Sequence, residues 1–531
     1  MNMRLSIPLV VSLLLLAPSI TSAHDEIPAQ GKLGKVSFPT SCDPKVQPEF
    51  ERAVAMLHSF WYSAGEAAFR EVLVKDPSCA IATWGIAAIL MSNPLAGQGA
   101  SVKGAEQAQA AIDQGRRIGA KTQRERDYID AVAAYYQDYA NRPERDRQAS
   151  RAQAFEALAA RYPADDEAQI FSALYIAGTQ SQADQTYAAY LKAAAILERQ
   201  FAKYPDHPGV AHYLIHSYDA PPIAQQGVIA ARRYAGIAPD APHALHMPSH
   251  IFTRVGAWEE SAATNTRSFE VAKAGNEPDE AYHASDYMVY AYLQLARDAD
   301  ARATIDAANK VTGMSARFVA PYAVTAMPAR YAVERGDWKS AASLEPATST
   351  YPFVNAITYY ARALGSARTG DIAAAKKDAE QLAAAQSALE AAKNKYWATE
   401  VEIQRLGAAA WIALAEGKNE EALKFMRASA DLEDHNEKHI VTPARLLPAR
   451  ELLGEMLLEQ KQPQAALKEL EASQLREPNR FRNYALCARA AEAAGDAATA
   501  RKYNEKLVAL VKDVSASRPE LTHARLVVGS R

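Results

Sequence analysis

Cysteine is scarce in this chain. Its 531 residues hold only Cys42, Cys79 and Cys487, and no two of them form a Cys-x-x-Cys pair, which argues against a thiolate zinc site. In an oxidising compartment Cys42 and Cys79 could bridge and leave Cys487 as a buried odd thiol. Spacing alone does not bring their Cα atoms together, so the bridged and free states both stay open. Charge of one sign is also missing. The 59 basic and 62 acidic side chains leave a net charge of −3, which gives bulk electrostatics no hold on nucleic acid or an anionic membrane. Beyond the N-terminus no apolar run approaches membrane-spanning length. No G-x-S-x-G elbow, P-loop, dinucleotide fingerprint or EF-hand loop occurs, and no Ser or Cys nucleophile sits in a recognisable frame with a His. An enzyme built on this chain would need a metal to carry the chemistry, with a water activated at an open coordination position.

What is present begins with "MNMRLSIPLVVSLLLLAPSITSA": one Arg, an apolar run, then small residues at Thr21 and Ala23. That is the layout of a cleaved secretory signal covering residues 1–23. A membrane anchor is the alternative, but the run is short and interrupted by Pro8 and Pro18. The expectation is a periplasmic or secreted protein without a membrane span in its mature chain. Residues 24–45 read as an N-terminal arm. After cleavage His24 would be the terminal residue, where the α-amine and imidazole together can chelate copper.

Apolar residues in the rest of the chain recur at helical rather than alternating spacing, and the pattern repeats. The clearest unit is "LPARELLGEMLLEQKQPQAALKELEASQLREPNR", with Leu453, Gly454 and Leu457 on a first helix, Ala466 and Leu470 on a second, and Pro478 closing. The turn at Lys461 recurs 34 residues later at Gly495-Asp496, and "RGDW" (335–338) and "TGDI" (369–372) are likewise 34 apart. "QPEFERAVAMLHSFWYSAGEAAFREVLVKDPSCA" fits the same frame with Gly65, Phe69 and Pro77. These units resemble the tetratricopeptide repeat (TPR), a 34-residue helix pair. The resemblance runs over residues 46–512, degenerate near 93–165 and 275–320, and leaves 513–531 as a C-terminal tail. It implies an all-α, right-handed superhelical solenoid with a concave groove, an architecture that usually binds something and seldom does chemistry.

Two neighbouring units stand apart. "YPDHPGVAHYLIHSYDAPP" and "APDAPHALHMPSHIFTRVG" superpose at an offset of 34, matching His212 to His246 and His216 to His250. Asp206 and Asp240 read as N-caps, with the prolines inside the first turn. The same positions elsewhere hold Trp84 and Ala88, Ile170 and Leu174, or Ala485 and Arg489, so the His pair is not a default of the repeat. In the TPR family this face lines the groove. Carried over, His212, His216, His246 and His250 would face it side by side, with His243 one turn earlier. First helices of stacked units pack about 8–10 Å apart, so these imidazoles could converge on one or two ions. A thiolate-free imidazole set suits Zn, Cu, Ni or Fe. No Glu lies between the pairs, so a zinc-protease motif is not supported. Asp219 and Met247 are weaker additions, and Pro248 must break the helix between His243 and His250. Two other readings remain: a metal-free polar groove for a peptide, and plain packing.

Further candidates lie along the expected groove. His283, Tyr287 and Tyr290 share a helical face in the following unit, and Arg254 could line the same channel. "DLEDHNEKHIVTPARLLPAR" is a long helix–helix connection carrying His435, Glu437, His439, Arg445 and Arg450. It could bring a further ligand or an anion clamp over the groove, or remain a solvated loop. His58 ends the first helix, where the dipole alone favours it. The sequence therefore predicts an exported TPR solenoid whose groove holds a transition metal, with a small molecule or a peptide as further ligand. The alternatives are a metal-free envelope scaffold and a metal-dependent hydrolase or oxidase.

Overall fold

The computed structural model describes residues 31–315, 317–511 and 518–529; the expected signal peptide and His24 lie outside the described residues. Among these no strand occurs, and twelve helix pairs, from Gln47–His58 with Tyr62–Lys75 to Phe481–Ala493 with Ala497–Leu510, precede a closing helix, Pro519–Gly529. The protein is a TPR-like helical repeat protein.

The local chemistry of the repeat explains its punctuation. Gly336, Gly370 and Gly495 adopt φ of +64°, +87° and +75°, and Lys461 holds the equivalent turn at +58°. After each glycine an aspartate caps the next helix: Asp337 accepts from the Ser340 N–H at 3.1 Å, Asp371 from Ala374 at 3.0 Å and Asp496 from Thr499 at 3.0 Å. Inside the pairs, small residues set the approach of the helices. A Cβ at Gly454 would lie 2.5 Å from Leu470 Cγ.

Asp206 and Asp240 do not cap their helices as expected. His207 caps Pro208–Ser217, its Nδ1 accepting from the Val210 N–H at 3.3 Å, and Ala241 precedes Pro242–His246 with no side-chain cap. The two aspartates instead hold the N-terminal segment. The Asp240 carboxylate accepts from the Lys32 N–H, and the Asp206 carbonyl from Lys35 at 3.1 Å. Residues 31–45 are therefore not a free arm. Phe38 is buried among Phe50, Trp84 and Tyr128, and Cys42 bonds to Cys79 with their Cα atoms 4.8 Å apart. Cys487 is the free, buried cysteine. The closing helix packs on Ala497–Leu510, and Arg518 pairs with Asp298, so this part of the expected tail is docked.

The repeats curl until distant units touch. Trp258 Nε1 donates to the Asn479 carbonyl at 2.6 Å, and the Phe481 N–H donates to Gln294 Oε1 at 3.0 Å. Arg480, buried, pairs with Glu334 at 2.9 Å and Glu451 at 3.0 Å. The long connection at 435–448 turns inward and crosses the concave side. Glu437, Lys438 and His439 are buried. The Glu437 N–H reaches the Gln182 carbonyl at 2.8 Å, and Arg330 holds the carbonyls of Arg445 and Ala444 at 2.8 and 3.1 Å. The strap fills the part of the groove expected to hold an extended ligand.

The Cys42–Cys79 bridge spans a separation of 37 residues, which chain entropy values at about 3–4 kcal/mol. The Cys42→Ala/Cys79→Ala variant should melt well below the parent under non-reducing conditions and be insensitive to reductant. Identical melting of the two proteins would show that the bridge does not form.

Candidate metal centre

Six histidines from three successive units meet beneath the strap. His212 and His216 lie on Pro208–Ser217, His243 and His246 on Pro242–His246, His250 on Pro248–Val255 and His283 on Pro278–Gln294. None is more than 7% exposed. Pro248 breaks the helix as expected, and the histidines fall into two groups that do not follow the break. His212, His216 and His243 form one triad, and His246, His250 and His283 form another. Within each triad the ligating atoms all lie within 4.8 Å of one another. The structure thus moves His283 from the channel wall into the cluster and parts His243 from its own helix neighbours.

The hydrogen bonds decide which nitrogen of each ring is free. The Asn265 amide donates to the Ser261 carbonyl at 2.8 Å, which turns its Oδ1 toward His246 Nδ1 at 2.7 Å. Asp219 Oδ2 takes the His250 Nδ1–H at 2.9 Å, and Glu280 faces His243 Nδ1 at 3.1 Å. The His58 carbonyl accepts from His212 Nδ1 at 2.7 Å. Four rings are thereby oriented through Nδ1 with Nε2 left as a lone pair, the arrangement that outer partners impose on metal-binding histidines. The Nε2 atoms of His246 and His250 face each other at 3.0 Å. His212 Nε2, His243 Nε2 and both nitrogens of His216 are buried without a hydrogen-bond partner among the described residues. Leaving such atoms unsatisfied costs about 1–3 kcal/mol each.

Burial, reinforced by neighbouring imidazoles, pushes the pKa values of His212, His216, His246 and His283 well below the ordinary histidine value. Burial lowers His250 to about 4 against the pull of Asp219. Burial alone would raise Asp219, but Lys438, Arg254 and His250 hold it far below the usual carboxylate range. These five rings are therefore neutral near pH 7, the state that binds metals.

Other expected site residues have different places. Asp219 orients His250 rather than joining either triad. Arg254 is buried: it donates to Asp219 Oδ1 at 2.8 Å and pairs with Glu437 at 3.4 Å, tying the strap to the site, and it borders two small cavities beside the strap. Tyr287 does sit at the second triad, its hydroxyl 3.4 Å from His250 Nε2 and donating to the Thr442 carbonyl at 3.1 Å. Tyr290 points away to Glu477 and Arg480 in the ring-closing network. His439 stacks on Trp397 with centroids 5.0 Å apart and belongs to neither triad. Met247 is buried outside both.

His58, Glu167 and His207 form a further group of metal-binding type, but its protons are accounted for. Glu167 takes one Nε2–H from each ring at 2.9 Å, Tyr213 faces His58 Nδ1 at 2.9 Å, and the Val210 N–H faces His207 Nδ1. Burial would raise Glu167, but His207 and His58 outweigh it and hold it at about 2. Every ring nitrogen of this group therefore has a partner, whereas His212, His216 and His243 of the first triad keep unpartnered ones. Sequence reasoning missed the group, together with Asn265 and Glu280: Asn265 meets His246 across its own helix pair, the other partners lie in other units, and none shares a local motif.

A cavity of about 520 Å³ reaches His243 past Phe60, Trp61 and Tyr62, with Glu66, Glu277, Asp279 and Glu280 against Lys103 and Arg317. Phe60 sits at φ +53°, uncommon for a non-glycine residue. Its ring centroid lies 4.4 Å from that of His212 and 5.5 Å from that of His243, between the cavity and the first triad. A larger cavity, about 790 Å³, adjoins Glu167 and His207 and is lined by none of the six histidines.

No protein-family model and no curated protein matches the chain. It is similar to solved structures of TPR type. One is the APC/C hetero-tetramer Cut9-Hcn1, at 11% identity over 90% of this chain and 96% of that one, with a TM-score of 0.27. Another is a human IFIT1 dimer with PPP-AAAA, at 11% identity over 77% and 88%, with a TM-score of 0.36. Likeness at this level carries nothing about the site.

The lowered histidines make metal-free protein acid-sensitive. Histidines of the unfolded chain take up protons near pH 6.5, whereas the buried ones do so only at lower pH. Their contribution is present above about pH 6.5 and is lost as the pH falls toward the folded values. For His250, at about 4, the loss reaches about 3 kcal/mol by pH 4. Urea midpoints of metal-free protein should drop steeply from pH 7 to pH 4.5, less so in His250→Gln. A flat profile in both would contradict the assignment.

Proposed function

We propose that this TPR-like protein holds a transition metal in a buried, all-imidazole centre, and that the centre acts on or carries a small ligand. The observation that carries the reading is the 3.0 Å approach of His246 Nε2 and His250 Nε2, with the Nδ1 of both rings already engaged by Asn265 and Asp219. Two lone pairs facing at that distance repel unless a cation lies between or beside them. The separation is one that two bonds of about 2.0–2.1 Å to a single ion can span. Neutral nitrogen donors without thiolate or carboxylate suit Zn, Cu, Ni or Fe. When bound, such an ion supplies Lewis acidity and an activated water or, if redox-active, electron transfer.

The protein's own residues prepare the site. Asp219, Asn265, Glu280 and the His58 carbonyl fix the rings, while Arg254 and Lys438 neutralise Asp219 and anchor the strap that keeps bulk water out. Chemistry on a small molecule is favoured over closed, structural binding by the cavity that leads to His243. A peptide lying on these histidines is disfavoured by their burial under residues 435–448, although helical repeats commonly bind proteins on other surfaces. An exported location is supported by the pattern of residues 1–23 and by the Cys42–Cys79 bridge.

Elemental analysis of purified parent protein beside His246→Ala/His250→Ala tests the reading. The expected result is stoichiometric metal in the parent and less in the variant. A parent without metal that also takes up none of the four ions at neutral pH would end the proposal. Asp219→Asn should keep the metal but weaken it about 10–100-fold, the usual effect of losing an outer partner; an unchanged dissociation constant would remove Asp219 from that role.

A further inference from the structure

We propose that the centre is binuclear, with one ion in each histidine triad and a small anionic ligand shared between them. The inference rests on the metal-binding reading above and goes beyond it in number and ligand class.

The repeat itself builds the same site twice. The first triad takes an i, i+4 pair, His212 and His216, from one unit and its third ring, His243, from the next. The second takes the pair His246 and His250, at an offset of 34, and its third ring, His283, again from the following unit. The outer partners repeat as well. Each triad has one ring backed by a carboxylate, His243 by Glu280 and His250 by Asp219. Each has one ring backed by a neutral oxygen, His212 by the His58 carbonyl and His246 by Asn265. The remaining ring of the first triad, His216, has both nitrogens buried without a hydrogen-bond partner among the described residues, and the remaining ring of the second, His283, is buried against His246, its ring centroid 4.0 Å away. Two sites alike in donors, burial and outer shell should both bind.

The triads also abut. Ring centroids of His216 and His250 are 5.5 Å apart, and those of His243 and His246 are 5.9 Å apart. Six imidazole ligands supply no negative charge for two divalent ions, and three donors leave each ion open. Asp219 is already engaged by His250, Arg254 and Lys438. An exogenous anion of hydroxide size, placed between the ions, satisfies charge and coordination together. The cavity at His243 is its route of entry.

The experiment loads metal-free full-length protein with Zn(II) and separately with Cu(II), removes excess by gel filtration, and counts ions per chain. Copper counts use a His24→Ala background, so that an N-terminal chelate is not included. The expected result is two ions per parent chain, and one in each of His212→Ala/His216→Ala and His246→Ala/His250→Ala. His216→Gln and His283→Gln, read beside far-UV circular dichroism, replace either double variant that fails to fold. The copper spin resonance of the parent should integrate to well under two spins per chain and sharpen or shift on adding azide, while one-ion variants integrate to one spin. A parent that saturates at one ion overturns the binuclear centre and leaves the metal-binding reading intact; a parent with none overturns both. Two ions with full two-spin intensity and no response to azide overturn the shared ligand.

Discussion

A buried imidazole must commit its two nitrogens, and that constraint organises the core of this protein. One nitrogen of each oriented ring is spent on the scaffold: on Asp219, Asn265, Glu280 or the His58 carbonyl. The other is then forced inward as a lone pair. Where a group closes its own proton count, as His58, Glu167 and His207 do, the cluster is a structural joint. Where it does not, as at His212, His216 and His243, the fold has accumulated ring nitrogens with no protein partner among the described residues. Burial holds His212, His216, His246, His250 and His283 neutral and so keeps their lone pairs available.

The remaining architecture serves this burial. A solenoid with an open concave face would leave the histidines wet and their proton state ordinary. Here the curl brings Asn479 to Trp258 and Phe481 to Gln294, and the strap at 435–448 lies across the enclosed face. Its attachment near the triads is ionic rather than apolar, with Arg254 between Asp219 and Glu437 and Lys438 beside Asp219. Buried pairs of this kind add little net stability, because desolvation offsets most of the attraction. They do fix geometry, and Asp219 is at once the anchor of the strap and the orienter of His250.

Repetition gives the site its economy. The 34-residue period copies the pair of rings one turn apart, and in each case the following unit lends a third ring, although His243 and His283 do not occupy equivalent positions of the repeat. One short segment serves both copies: His243 and His246 leave the same helix, Pro242–His246, in different directions, His243 toward the preceding unit and His246, with His250 from beyond the break, toward His283.

Much of the fold was legible in the chain. Gly-Asp turns at 34-residue spacing, helical periodicity and the matching His pairs are local signals, because φ beyond +20°, N-caps and an i, i+4 face depend on a few neighbouring residues. The same locality explains the errors. Asp206 and Asp240 have the composition of caps, but contacts with residues 31–35 claimed them, and His207 took the cap. The membership of His283 and the roles of Asn265 and Glu280 depend on how neighbouring helices pack, and the departure of Tyr290 on how far the solenoid curls, a property summed over many small helix-packing angles. By itself the sequence determined a TPR-like repeat with histidines doubled in two units. Only the tertiary structure decided that they are dry, that they part into two triads, and which nitrogen of each ring is free, because desolvation and long-range hydrogen bonds exist only once distant units meet.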